Sequence, residues 1–125
     1  MPLSLLAPRN LDELLNYRLQ RLFTLGGAPV VRLLEGRYGI SRREMRVMAV
    51  LAMHGDLSVS DLAERGHLDR PRASRGVQVL IEKRLAQRAG NGAGTRGGRI
   101  VLTRAGHRLH DELFPQIAAI NARLV

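Results

Sequence analysis

The order of hydrophobic and polar positions predicts a mostly helical chain that opens with a leucine-rich helix. Asn10 and Glu13 have the spacing of a capping box, so the first helix is expected to start at Asn10. Apolar residues then recur at helical spacing: Leu11, Leu14, Leu15, Leu19 and Leu22. Gly26, Gly27 and Pro29 interrupt the spacing and predict a break or kink before a short second piece.

The middle of the chain predicts three helices that follow one another closely. Ser41 opens a second capping box ahead of the apolar stretch 45–53, which is expected to be a buried central helix. A short helix starts at Ser58, and Asp69 caps a longer one. The apolar stripe of the longer helix is Ala73, Val77, Leu80 and Ile81. Because the last two helices are separated only by the turn 66–68, the pattern indicates a helix-turn-helix.

A hairpin and a last helix complete the pattern. Residues 85–89 and 99–102 are predicted to be two short strands, and the loop between them is rich in glycine. Thr103 is expected to cap the final helix. The sequence therefore predicts a mainly α fold, a winged helix-turn-helix with a small antiparallel β wing.

Charge gives the first functional indication. Lys and Arg total 20 against 11 Asp and Glu, a net charge of +9, and Lys83 is the only lysine. A strongly basic domain indicates a polyanionic partner, although arginine-rich codon usage would give the same composition. The chain has no cysteine, which excludes disulfides and thiolate sites, and no apolar run long enough to span a membrane. These features fit a cytoplasmic protein.

The positions of the arginines favour DNA. Three of them lie in the first six residues of the helix capped by Asp69, where cations are unfavourable unless an anion binds, although a solvated charged face is the ordinary alternative. The start of such a helix reads base edges in the major groove, so the expected base-reading residues are Arg70, Arg72, Ser74 and Arg75. Expected phosphate contacts are Arg42, Ser58, Ser60 and Arg88. Expected wing contacts to the minor groove are Arg96 and Arg99.

Four segments together resemble the MarR-type winged-helix regulators: LAER at 62–65, LDRPRASR at 68–75, LIEKRL at 80–85 and VLTRAG at 101–106. The resemblance covers about residues 41–113. It implies a homodimer, usually a repressor, on a pseudo-palindromic operator, with the first and last helices forming the dimer. It also implies that a small phenolic or aromatic carboxylate releases the protein from DNA.

A ligand pocket between the dimer helices and the DNA-binding lobe is implied by the same resemblance. Residues that combine aromatic or apolar walls with guanidinium groups are the candidates: Tyr17, Arg18, Arg21, Tyr38, Arg46 and Met53. For the two tyrosines, simple packing in the dimer interface is an equal alternative.

The chain departs from the family pattern in three places. Gly94 stands where the family has an aspartate that supports the wing arginine, so Arg96 lacks that support. Arg84 stands where the family often has glycine, which predicts either a left-handed arginine or a different helix end. The sequence ends at Val125, before a further dimerising segment of the relatives, so it is either truncated or dimerises through the pieces present.

Other functions have weaker support. His107, His110 and Asp111 share a helix face, and a zinc-sensing regulator would need further ligands from His54, His67 or Glu35. The sequence predicts no metal site, no cofactor and no enzyme, because no catalytic constellation is visible and the glycine-rich loop lacks the ending of a phosphate-binding loop. A winged helix that binds protein or RNA stays open as an alternative.

The prediction divides the chain into residues 1–40 for dimerisation, 41–104 for the DNA-binding winged helix, and 105–125 for a C-terminal dimerisation helix. The expected partners are double-stranded DNA, a second copy of the chain and a small aromatic effector, with no membrane.

Overall fold

The structure is a computed structural model that describes residues 5–89 and 98–124, and in these ranges it confirms a mainly α winged helix-turn-helix. A 3₁₀ turn at Leu11–Glu13 precedes the first helix, and a π-helical stretch at Arg32–Tyr38 continues it. The helices and strands are α1 (Leu15–Val31), α2 (Arg42–His54), α3 (Val59–Gly66), α4 (Arg70–Glu82), β1 (Ala86–Ala89), β2 (Arg99–Leu102) and α5 (Arg104–Leu124). No helix in the described ranges has both the length and the apolar character needed to cross a bilayer.

The N-terminal helix starts later than the sequence predicts. Asn10 forms no side-chain capping bond, so the capping box predicted there is wrong. The buried carboxylate of Glu13 instead accepts hydrogen bonds from the backbone N–H and the guanidinium of Arg9. Leu14 is extended and separates the 3₁₀ turn from α1. The competing partner Arg9 therefore moves the helix start to Leu15.

Of the break or kink predicted at Gly26, Gly27 and Pro29, the break is wrong, because α1 runs through these residues to Val31, while the kink stays a prediction. The irregular part lies beyond the proline, where the backbone becomes π-helical and then ends at Gly39 with a left-handed φ of 66°. Gly27 serves packing, since a Cβ there would lie 2.8 Å from Nη1 of Arg42. We call residues 15–38, which form one continuous helical segment, the arm.

Helix α2 is the centre of the core, as its apolar sequence predicts. The Ser41 hydroxyl accepts from the Glu44 N–H at 3.1 Å and the Glu44 carboxylate accepts from the Ser41 N–H at 3.0 Å, which confirms the second capping box. The α2 side chains Val47, Met48 and Leu51 are fully buried. Gly76 of α4 faces this helix, and a Cβ there would lie 2.9 Å from Cγ2 of Val47. Glycine at this position therefore lets α4 pack closely on α2.

The wing rests on α5 and on the loop before α3. Strands β1 and β2 are antiparallel, and Leu57 pairs with Ile100 on the other side of β2 through hydrogen bonds of 2.7 and 3.1 Å. Arg84 has the left-handed conformation, with φ of 62°. Thr103 caps α5 as predicted, because its hydroxyl accepts from the Gly106 N–H and donates to the Arg84 carbonyl.

Candidate nucleic-acid interface

The turn between α3 and α4 is set by local hydrogen bonds. The Ser58 hydroxyl accepts from the Asp61 N–H at 3.1 Å and caps α3, while the Asp69 carboxylate accepts from the Arg72 N–H at 2.8 Å and caps α4. His67 adopts a left-handed φ of 53° and ends α3. The Leu68 side chain packs against the core, and its backbone N–H donates to the Ala63 carbonyl. Both helix starts are those that the sequence predicts, and α4 is held against α2 with its first turn exposed.

The exposed face of α4 carries the predicted base-reading residues. Arg70, Ser74 and Arg75 are exposed, whereas Ala73 and Val77 on the other face are buried. Within the described ranges, the side chains of Arg70 and Arg75 form no hydrogen bond or ion pair. Arg72 differs, because its Nε lies 3.4 Å from Oδ2 of Asp69. The helix start therefore presents two uncompensated cations beside its own partial positive charge, which favours an anion there.

The predicted phosphate contacts are not all equally available. Ser60 on α3 and Arg88 on β1 are exposed. The Ser58 oxygen caps α3, which leaves its O–H as a donor. The Arg42 guanidinium lies over the Phe23 ring, 4.4 Å from its centroid, so it joins the arm to α2. A guanidinium over a ring keeps its in-plane N–H donors, so a phosphate contact by Arg42 stays a prediction.

The wing shows a support that the sequence did not reveal. The guanidinium of Arg99 donates through Nε to Oδ1 of Asp56 at 2.8 Å and through Nη2 to the Asp56 carbonyl at 2.9 Å. Asp56 directly precedes the residue that bridges to β2, so the pair fastens the wing to the loop before α3. Arg99 is therefore engaged within the wing base, while Arg96 and Gly94 lie outside the described residues.

Three of the six predicted ligand residues come together in one groove on the arm. The groove has a volume of about 330 Å³ and is lined by Asp12, Tyr17, Arg18, Arg21, Leu22 and Leu25. Nη1 of Arg21 lies 4.0 Å from Oδ1 of Asp12. A groove with an aromatic wall and two guanidinium groups can accept a small aromatic carboxylate.

The other three predicted ligand residues lie elsewhere. The Tyr38 hydroxyl accepts from Nε2 of Gln116 at 2.7 Å, which ties the end of the arm to α5. Arg46 is exposed on α2, and Met53 near the end of that helix is 78% exposed. The structure therefore brings Tyr17, Arg18 and Arg21 together and places the other three apart from them, and ligand binding by any of the six stays a prediction.

A second long-range ion pair lies at the end of α4, which we call the recognition helix because it carries the predicted base-reading residues. Lys83 donates to Oε1 of Glu44 at 2.5 Å and to the carbonyl of Gly39 at 2.8 Å. Burial alone would raise the pKa of the Glu44 carboxyl, but the hydrogen bonds from Lys83 and Ser41 outweigh it and hold the pKa below its ordinary value. Since the folded pKa is lowered, the stabilisation is present above the ordinary pKa of a glutamate and is lost as the pH falls through the lowered, folded-state pKa.

The histidines do not form a metal centre within residues 5–89 and 98–124, where no group of three or more His, Cys, Asp or Glu side chains is placed to hold an ion. The His110 ring stacks on Phe114 with centroids 5.4 Å apart, and its Nδ1 lies 3.8 Å from Oδ1 of Asp111. His107 is exposed. The described residues therefore offer no support for zinc sensing.

Comparison with known proteins relates the fold and about half of the sequence to one family. Residues 38–97 match the MarR family. No curated protein sequence matches the chain significantly. A MarR family transcriptional regulator from Silicibacter pomeroyi is 28% identical with a TM-score of 0.77, over 95% of this chain and 79% of that one. The YusO protein from Bacillus subtilis is 28% identical with a TM-score of 0.69, over 94% and 84% of the two chains.

A third solved structure is similar in fold alone. BpsR of Bordetella bronchiseptica is 19% identical with a TM-score of 0.79, over 94% of this chain and 84% of that one. Its structure is described as a mechanism for regulation of DNA binding by 6-hydroxynicotinic acid.

Proposed function

We propose that this chain is a MarR-type transcriptional regulator, a homodimeric repressor of a pseudo-palindromic operator, because residues 38–97 match the MarR family and the fold is similar to that of a solved MarR family regulator. The observation that carries the proposal is the pair of uncompensated arginines, Arg70 and Arg75, on the exposed start of α4. A duplex phosphate or a guanine edge supplies the acceptor that this helix start lacks. Each protomer places one α4 in a major groove.

The dimer is proposed from the surface of α1. Large apolar side chains are between half and two-thirds exposed along this helix: Leu15, Leu19, Leu22, Phe23 and Leu25. An apolar surface of this kind marks an interaction site, and a second copy of the same helix would cover it in a twofold arrangement. The two half-sites are then expected about one helical turn, ~10 bp, apart.

The effector is proposed to bind the groove on the arm. Arg18 and Arg21 would pair with the carboxylate of a small aromatic acid, and Tyr17 would pack on its ring. The regulation of BpsR by 6-hydroxynicotinic acid, an aromatic carboxylate, supports this class of ligand. The ligand would change DNA affinity only if it binds one arrangement of the two recognition helices better than the other.

Selection of bound duplexes from random DNA tests the proposed function. The expected result is an enriched site made of two inverted half-sites with one fixed spacing. Single-stranded RNA of random sequence is the competitor, because it tests the alternative that the winged helix binds RNA. Failure to enrich any duplex, or a preference for the RNA, would overturn the DNA-binding proposal.

Arg75→Ala is expected to relax base preference. Its guanidinium is free to bond a guanine edge, so its loss should cost ~1–3 kcal/mol at one base pair of each half-site and little at the others. The measurement is the affinity for a panel of single-base variants of the selected operator. Arg108→Ala, an exposed arginine of α5, is the control for charge. Equal weakening on all sequences would contradict the assignment.

Arg88→Ala is expected to weaken binding to every duplex and to lower the salt dependence. Each lost phosphate contact removes about 0.9 from the slope of log affinity against log salt. Arg99→Ala is the matched control, because it removes the same charge from the wing, but its guanidinium is already bonded to Asp56. The slope should therefore fall more for Arg88→Ala, and an unchanged slope would remove Arg88 from the phosphate contacts.

A further inference from the structure

Lys83 joins three parts of the molecule through a single ammonium group. It follows the last turn of α4, and its Nζ donates to the Gly39 carbonyl at 2.8 Å and to Oε1 of Glu44 at 2.5 Å. Gly39 directly follows the arm, and Glu44 lies in the first turn of α2, where its carboxylate also accepts from the Ser41 N–H. We call this set of hydrogen bonds the Lys83 latch.

The residue type at this position indicates a geometric requirement. The chain has 20 basic residues, and lysine occurs only here. A compact ammonium can serve two acceptors from one point, whereas a planar guanidinium spreads its donors over a fixed fork. The Glu44 side chain is only 12% exposed and that of Lys83 is 36% exposed, so water screens the pair less than it screens a surface ion pair.

The latch connects the part of the chain that would sense a partner or ligand to the part that would read DNA. The arm carries the apolar surface and the groove, and its last residues are packed into the core through Leu34. Tyr38 is also bonded to Gln116 of α5. Because Gly39 continues directly from this segment, a rotation of the arm displaces the carbonyl that Lys83 bonds.

We propose that Lys83 is a positioning residue that couples the arm to the recognition helix, so that the distance between the two recognition helices of the dimer follows the arm. The proposal rests on the proposed function for its DNA readout. With the latch closed, α4 keeps one orientation relative to the arm. With the latch removed, the end of α4 keeps its packing and the bond from Thr103 to the Arg84 carbonyl but loses its hydrogen bonds to Gly39 and Glu44, so its orientation relative to the arm varies more.

Lys83→Met tests the coupling on DNA, because it keeps the length of the side chain and removes both hydrogen bonds. The measurement is affinity for a series of operators in which the spacing of the half-sites changes one base pair at a time. The preference of the wild type for one spacing is expected to fall by about threefold to tenfold. Glu44→Gln, which keeps the capping interaction with Ser41, should shift the profile in the same direction.

Arg84→Asn is the matched control, because it removes one positive charge from the next residue without touching the latch, and asparagine tolerates the left-handed backbone there. It should lower affinity at every spacing and leave the spacing profile unchanged. If Lys83→Met behaves like Arg84→Asn, with uniform weakening, the positioning role is wrong.

A measurement without DNA separates the latch from the proposed function. Hydrogen exchange of the last turn of α4 in the free protein should be faster in Lys83→Met than in the wild type and in Arg84→Asn. Equal protection in all three would overturn the latch. If the wild type binds no duplex, the proposed function fails, and the exchange rates alone then decide the role of Lys83.

Discussion

Gly106→Ala is expected to lower the free energy of unfolding by about 3 kcal/mol or more. A Cβ at this position would collide with the Leu85 carbonyl oxygen and lie 3.3 Å from Cβ of Leu102. The Leu85 oxygen is backbone and already accepts the Thr103 N–H at 3.0 Å, so it has little freedom to move. Relief therefore requires α5 to separate from the wing.

Equilibrium unfolding in denaturant, followed by helical circular dichroism, measures this loss. Gly36→Ala is the matched control, because a Cβ at Gly36 meets no atom within 4 Å. That substitution should be neutral or stabilise by ~0.5–1 kcal/mol, since alanine restricts the unfolded chain more than glycine does. A Gly106→Ala protein as stable as the wild type would contradict the close approach of α5 to the Leu85 carbonyl.

Leu19→Glu is expected to break the proposed dimer and to lower operator affinity by about 100-fold or more, because the two half-sites then no longer bind as one unit. Leu19 lies on α1 and is 53% exposed in the single chain, so a glutamate costs the monomer little. In a dimer that buries this face, two unpaired carboxylates would be desolvated.

Gel filtration at micromolar concentration and operator binding measure the two effects separately. Met53→Glu is the control, since it introduces the same charge on α2 at a side chain that is 78% exposed. It should leave the oligomeric state unchanged. If Leu19→Glu stays dimeric, α1 is not the interface, and if it is monomeric with full affinity, the two-half-site operator is wrong.

The helix starts at Ser41, Ser58 and Asp69 were predictable because a cap depends on residues within four positions of one another. The left-handed backbone of Arg84 was predicted as one of two outcomes, since a residue after a helix end often needs positive φ. Local chemistry decided each of these features, and the structure confirms them.

The N-terminal part shows where local reasoning fails. Asn10 and Glu13 have the spacing of a capping box, but Arg9 takes the Glu13 carboxylate. Glycine at position 27 predicts a helix break, but in the structure its missing Cβ leaves room for the guanidinium of Arg42. At Glu13 a competing local partner, one residue before Asn10, decided the outcome, whereas at Gly27 a side chain from α2 did.

The sequence alone determined the order of the helices, the wing and the cluster of arginines at the start of α4, because periodicity, caps and charge are local properties. Only the tertiary structure decided which polar groups already have partners. The Arg99–Asp56 and Lys83–Glu44 pairs join residues 43 and 39 positions apart, and no spacing rule connects residues at such distances. The physical reason is that long-range ion pairs form only after packing has brought two elements together, so their partners are not visible in a linear pattern.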